Sequence, residues 1–210
     1  MVREGAGAEV VSGAELALAL AVGFAPNKVV FSGVGKTEEE LKAGLRADIR
    51  LFTVESEGEI LALERLASRH NRRGRVAIRI NPNVDPRTHP HIATGIDTAK
   101  FGLDPETAIG LYVRRNEFPH LDFTGIHSHI GSQLTAIEPL AQSARLLEET
   151  VGVLRDQGVA LNEVDWGGGL GIPYGEEEIP TFEEYAQQIL PWLSRLGIHL
   201  ILEPGRCLLY

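Results

Sequence analysis

Three short stretches hold the residues that could do chemistry: GIHSHIGSQ at 125–133, WGGGLG at 166–171 and EPGR at 203–206. Glycine weakens a helix or strand by roughly 0.5–1 kcal/mol relative to alanine, so the run Gly167, Gly168, Gly169 and Gly171 answers some geometric demand. One such demand is an anion, because bare backbone lets N–H groups close around a phosphate. The other is a β-bulge and tight turn. EPGR adds a second anion feature on a neighbouring strand end, with Gly205, after Pro204, as a close-approach point and Arg206 as a bidentate phosphate donor. Ser132, on the turn after the histidines, could cap a helix or bind the same anion.

Glu203 ends the otherwise apolar HLILE, and a buried carboxylate is expensive unless paired. It could hold a proton on a cationic partner about 4 Å away, worth roughly 4 kcal/mol at an effective dielectric near 20. It could equally form a structural salt bridge, for which Arg79 is available. His127 and His129 fall on one face of a strand, since side chains alternate with period two. Two histidines so placed are half a metal site, and with Asp165, Glu203, His89 and His91 they suggest a metal-dependent barrel hydrolase. Two other uses stay open: a flat surface stacked on a planar ligand, and satisfied core histidines.

The elements that must position these groups alternate strictly. Strand candidates at 8–12, 28–33, 50–56, 75–82, 123–132, 162–168 and 199–206 are separated by helix candidates at 13–23, 37–47, 57–70, 105–117, 138–157 and 182–196. Ser12, Thr37, Ser56 and Thr181 stand where helix caps belong. Such alternation means parallel strands, in an open doubly wound sheet or a closed (β/α)8 barrel. Polar residues recur at the strand C-terminal ends (Ser12, Ser32, Glu55, Arg79, His129, Asp165, Glu203), where a barrel gathers inward side chains at one mouth, so the barrel is the expected fold. A barrel needs eight strands, and seven are countable, so residues 1–210 are expected to form an incomplete barrel lacking a first strand and a closing helix. The polar, turn-rich stretch 81–102 is a candidate functional loop.

Composition narrows the function classes. The 210 residues, 43% of them apolar, suffice for a sizeable core. The net charge is −9, and the densest basic group, Arg72, Arg73 and Arg75, is too short to track a phosphate backbone, so no nucleic-acid partner is expected. No apolar run approaches a membrane span and no signal peptide is apparent. A single cysteine, Cys207, fits a reducing compartment, so a cytoplasmic location is expected.

HIGS, GGGLG and EPGR, in that order on successive strands, resemble the fold-type III pyridoxal-phosphate decarboxylases. VVSGAEL, VFSGVGKTEEEL, NVDPRTHPHIATG with KFG, HSHIGSQ and ILEPGR are similar to the diaminopimelate decarboxylase branch of that family, and the similarity covers essentially the whole chain. The resemblance implies an alanine-racemase-type barrel binding pyridoxal 5'-phosphate, followed in relatives by a β-rich domain that residues 1–210 are not expected to include. It implies that Gly167, Gly168, Gly169 and Gly171 line a phosphate loop, with Ser132, Gly205 and Arg206. Glu203 would face the pyridine nitrogen, His129 would stack on the ring, Arg79 would lie near the ring hydroxyl, and Glu9 would stand at the mouth. Pro204 belongs to the same cofactor-binding motif. Arg206 would also reach the substrate.

The implied reaction is decarboxylation of meso-2,6-diaminopimelate to L-lysine and CO2, by a homodimer, with His129 and Glu203 as catalytic groups and no metal. Decarboxylases of ornithine, arginine or carboxynorspermidine, and a non-catalytic cofactor-binding barrel, are the nearby alternatives. The family's Schiff-base lysine lies in a Tyr-x-x-Lys-Ala-Asn strand ahead of VVSG. None of the four lysines, Lys28, Lys36, Lys42 and Lys100, has that context, so the chain alone is expected to be inactive.

Overall fold

The computed structural model describes residues 1–84, 101–176 and 178–209. Seven strands form one parallel sheet in sequential order: β1 (Ala8–Val10), β2 (Val29–Phe31), β3 (Leu51–Val54), β4 (Gly74–Ile80), β5 (Leu121–Ser128), β6 (Glu163–Asp165) and β7 (His199–Ile201). A doubly wound sheet reverses its strand order partway, and this one never does, as expected of barrel topology. Helices α1 (Gly13–Ala21), α2 (Glu38–Ala47), α3 (Glu57–Arg69), α4 (Pro105–Val113), α5 (Glu138–Asp156) and α6 (Phe182–Leu193) connect successive strands. Each expected cap is made: Ser12, Thr37, Ser56 and Thr181 accept the N–H of the residue three positions on. Those bonds satisfy donors that a helix start would otherwise leave orphaned.

Strand alternation gives the sheet two apolar faces. Val29, Phe31, Phe52, Val54, Val76, Ile78, Ile126 and Val164 pack against the helices in the main core. On the other face Val30, Leu51 and Ala77 form a second, small cluster against Ile201. Contact between β7 and a cluster on β2 to β4 requires the sheet to curl, so the fold is a half-barrel whose interior is this second face. Expected strand ends shorten in one informative place. HLILEPGR is not one strand, because β7 stops at Ile201 and a five-residue helix, α7 (Gly205–Leu209), follows where no helix was expected.

One irregularity decides which side chains point inward. Between β4 and β5 the register jumps from Val76↔Phe123 to Ala77↔Gly125, leaving Thr124 as an extra residue. A one-residue slip exchanges the faces of everything beyond it. Here it turns Gly125 and His127 to the interior. The bulge is held by Tyr112 of α4, whose hydroxyl receives the Ile78 N–H (3.1 Å) and donates to the Gly125 carbonyl (2.6 Å). Burial pushes the Tyr112 phenol well above its ordinary pKa, so it stays a neutral donor.

Candidate active site

Polar groups gather on the inner face at the C-terminal ends of β3 to β7. His127 of β5 pairs in register with Asp165 of β6, which pairs with Ile201 of β7, two residues before Glu203. The β6–β7 pairing continues past the strands, with the Trp166 N–H on the Ile201 carbonyl (3.0 Å) and the Glu203 N–H on the Gly167 carbonyl (2.7 Å). That extension sets Glu203 beside the glycine run.

The glycines are filled by the chain's own backbone. A Cβ on Gly168 would lie 2.1 Å from the Glu203 carbonyl oxygen, one on Gly169 2.6 Å from that of Gly131, and one on Gly171 2.9 Å from that of Leu134. Gly167 and Gly169 also have φ of 65° and 117°, which side-chain-bearing residues rarely adopt. The run therefore lets three loops, after β5, β6 and β7, meet backbone to backbone, a reason not among those weighed from the sequence. The Leu134 N–H and carbonyl join Gly169 and Gly171 (2.8 and 3.0 Å), and the Gln133 amide brackets the Ile172 backbone at 2.6 and 3.2 Å. Gly205 differs from the others, since a Cβ there meets nothing within 4 Å.

The packed loops floor a cleft of about 460 Å³ lined by His129, Ser132, Gly169, Glu203, Pro204, Gly205 and Arg206, together with Tyr174. Gly167, Gly168, Gly171 and Arg79 do not line it; Gly168 and Arg79 touch it through His129. In its wall Arg206 donates to the Ser132 hydroxyl (3.1 Å) and to the Tyr174 hydroxyl, and its guanidinium lies over the Tyr174 ring. Glu203 lines the same cleft. His129, just beyond the end of β5, accepts the Gly168 N–H on Nδ1 (3.1 Å). Burial, with His127 and Arg79 nearby, lowers its pKa to about 4, so at neutral pH it is an uncharged ring held in a fixed orientation.

Arg79 does not pair with Glu203. It binds Glu55 (Nη1–Oε1 2.9 Å), whose other oxygen takes the Gly102 N–H, and reaches the His129 carbonyl at 3.5 Å. Glu203 is left with no hydrogen-bond partner on Oε1 and with His127 Nε2 3.9 Å from Oε2. Burial, then the charge of Glu9, pushes its pKa up to about 8. Of the residues entertained as metal ligands, His127, Asp165 and Glu203 come together, with ligand atoms all within 4.8 Å of one another. His129 is engaged elsewhere, and His89 and His91 lie outside the described residues, as does most of the 81–102 loop.

Lysines are spoken for. Lys36 Nζ sits among the carbonyls of Gly33 (2.8 Å) and Thr53 (2.6 Å) and the Glu59 carboxylate (2.7 Å), Lys28 binds the Gly5 carbonyl and Lys42 pairs with Glu39. Lys100 is outside the described residues. The reading from sequence overlooked Tyr174 and Gln133, and gave Asp165 only a place in the metal alternative. GIPYG held Tyr174 in plain view, but a tyrosine in a loop carries no spacing signal. No described helix is long and apolar enough to cross a membrane.

The family model of the pyridoxal-dependent decarboxylases, pyridoxal binding domain, matches residues 1–209. Diaminopimelate decarboxylase of Vibrio cholerae is 43% identical over 209 residues, covering 99% of this chain and 50% of that protein. That of Methanocaldococcus jannaschii is 42% identical over 212 residues, covering 97% and 48%. Among solved structures, diaminopimelate decarboxylase from Helicobacter pylori complexed with L-lysine aligns with a TM-score of 0.89 at 37% identity, over 94% of this chain and 50% of that one. The M. jannaschii enzyme in co-complex with L-lysine gives 0.88 at 41%, over 98% and 49%. The chain spans about half the length of the curated relatives it matches.

Proposed function

Since this chain belongs to the pyridoxal-dependent decarboxylases as their pyridoxal-binding domain, we propose that it is the cofactor-holding half of a diaminopimelate decarboxylase. The complete protein, a cytoplasmic homodimer, removes CO2 from the D-configured α-carbon of meso-2,6-diaminopimelate and yields L-lysine. The observation that carries this reading is the cleft's polarity. Its lining combines a cation, Arg206 on the Ser132 hydroxyl, with the Glu203 carboxyl and the neutral His129 imidazole. The relatives near 40% identity, named for this reaction, support the choice of substrate.

Pyridoxal phosphate fits these residues. Its phosphate suits Arg206 and Ser132, its flat ring suits the oriented His129, and the buried Glu203 Oε1 lacks the donor that a pyridine N–H⁺ supplies. Bound there, the cofactor provides the sink for the electrons of the breaking carbon–carboxylate bond. Each protein group has a bounded task. Glu203 would keep a proton on the ring nitrogen, Arg206 would neutralise the phosphate, and His129 would cover a ring face. Arg79, held by Glu55, reaches the His129 carbonyl and would lie near the ring hydroxyl. The glycine run lets the loops after β5, β6 and β7 pack together. By the family motif Gly205 would lie against the phosphate, and its open Cβ direction leaves room.

The test is release of CO2 by the complete protein, with L-lysine as product, from meso-diaminopimelate and not from ornithine, arginine or carboxynorspermidine. Faster turnover of ornithine or arginine would move the reading to the sibling decarboxylases. Arg206→Ala is expected to weaken cofactor binding about 10- to 100-fold in a spectrophotometric titration, the worth of a charged hydrogen-bonding group at roughly 1.5–3 kcal/mol. If only the substrate KM rises, Arg206 serves the distal carboxylate and not the phosphate.

A further inference from the structure

The inner row His127, Asp165, Glu203 contains two groups with no assigned task, His127 and Asp165. Asp165 is fully buried at the end of β6. Its Oδ1 accepts the Gly167 N–H at 2.9 Å, while its Oδ2 has no partner. His127, 2% exposed, likewise leaves Nδ1 without a partner. A buried polar atom with no partner costs about 1–3 kcal/mol, so two in one row are there for a reason other than stability. The row is closely spaced, with its ligand atoms within 4.8 Å of one another. At that separation two carboxylates repel by roughly 3–4 kcal/mol at an effective dielectric near 20, so only one ionises readily. Glu203 reaches the cleft and Asp165 does not. The proton therefore belongs on Asp165, on the oxygen that Gly167 leaves free.

We propose that Asp165 is a positioning residue for Glu203: as a neutral acid behind it, Asp165 presents an O–H that holds Glu203 ionised and leaves Glu203 Oε1 for the ring nitrogen of the cofactor. The proposal rests on Glu203 facing that nitrogen. The surroundings agree with it. Burial lowers the His127 imidazole and raises both carboxyls, Asp165 and Glu203, to about 8, so the row holds a proton near pH 7, and it is the geometry, with Asp165 behind and Glu203 at the cleft, that assigns it to Asp165. Glu9 from β1 and Glu55, just beyond β3, add negative charge, and Arg79 from β4 and the neutral His129 stand nearby as well. Glu9 pushes the Glu203 proton on, and Asp165 pulls the balance back.

The test uses the complete holoenzyme reconstituted with cofactor labelled with 15N in the ring, whose chemical shift reports whether that nitrogen is protonated. Asp165→Asn keeps an acceptor for Gly167 and a donor for Glu203, and is expected to leave the shift unchanged and cofactor affinity within about 2-fold. Asp165→Thr, with a hydroxyl donor, should also keep the protonated shift. Its apolar isostere Asp165→Val should move the shift toward unprotonated nitrogen and lower kcat about tenfold for each pK unit lost. If Asp165→Asn moves the shift as far as Asp165→Val, Asp165 acts as a charge and the proposal fails. It fails too if every Asp165 variant is silent, or if the apoprotein binds one zinc through this row and loses it in Asp165→Asn. Should Glu203→Gln itself leave the shift unmoved, the error lies in the placement of Glu203 and not in the role of Asp165.

Discussion

Glu203→Gln is expected to lower kcat of the complete protein about 100- to 1,000-fold, the scale on which removing one preorganised electrostatic partner slows an enzyme. Glutamine matches the shape of the side chain and fills the same space beside Gly168 and His127, but it cannot balance a positive ring nitrogen. Cofactor affinity should change far less than kcat, because Arg206 and Ser132, which would hold the phosphate, keep their mutual hydrogen bond. The substitution should also leave the melting temperature equal or higher, since it removes a buried titratable group whose carboxyl is already pushed up to about 8. Steady-state kinetics, a cofactor titration and a thermal melt separate these three expectations. A kcat within threefold of wild type would mean that Glu203 does not face the nitrogen.

What the sequence makes legible here is local, and what it hides is long-range. Ser12, Thr37, Ser56 and Thr181 announce their helices because each cap and the N–H it binds are three residues apart. The alternating polar residues at strand ends announce the mouth for the same reason, since period two is a property of a single strand. EPGR misled in the reading of strand extent, because nothing in HLILEPGR marks Ile201 as the end of the regular strand; that limit comes from where β6 ends. The Arg79–Glu55 pair joins positions 24 apart, and the bulge at Thr124 depends on Tyr112 from a different helix. The first pair lies too far apart for a local window, and the second, though only 13 residues apart, joins a helix to a strand whose separate periodicities give no sign of it. The family resemblance supplied the roles of Arg206 and His129 that spacing alone had left open, but it assigned none to Asp165.

Gly168→Ala should be among the most damaging single-methyl additions in the chain, and the reason lies in what the new atom would meet. Its Cβ falls 2.1 Å from the carbonyl oxygen and 3.0 Å from the carbonyl carbon of Glu203. Both belong to backbone, which cannot rotate aside as a side chain can. Relief requires the loop after β7 to part from the loop after β6, breaking the Glu203 N–H bond to Gly167 and withdrawing Gly168 from His129 Nδ1. Those are the contacts that aim the two groups flanking the cleft, so fold and site are lost together. A destabilisation of about 3 kcal/mol or more is expected, at the upper end of overpacking costs. Gly205→Ala is the matched comparison: its Cβ has open space and it sits in α7, where alanine is preferred to glycine by up to about 1 kcal/mol. Thermal melts of the two complete proteins, each about twice the length of this chain, should therefore differ by about 3 °C or more. Any loss of cofactor affinity in Gly205→Ala without a loss of stability would then report how closely the phosphate approaches that position. If Gly168→Ala melts with the wild type, the loops do not meet backbone to backbone, and the account of the glycine run as a packing device falls with it.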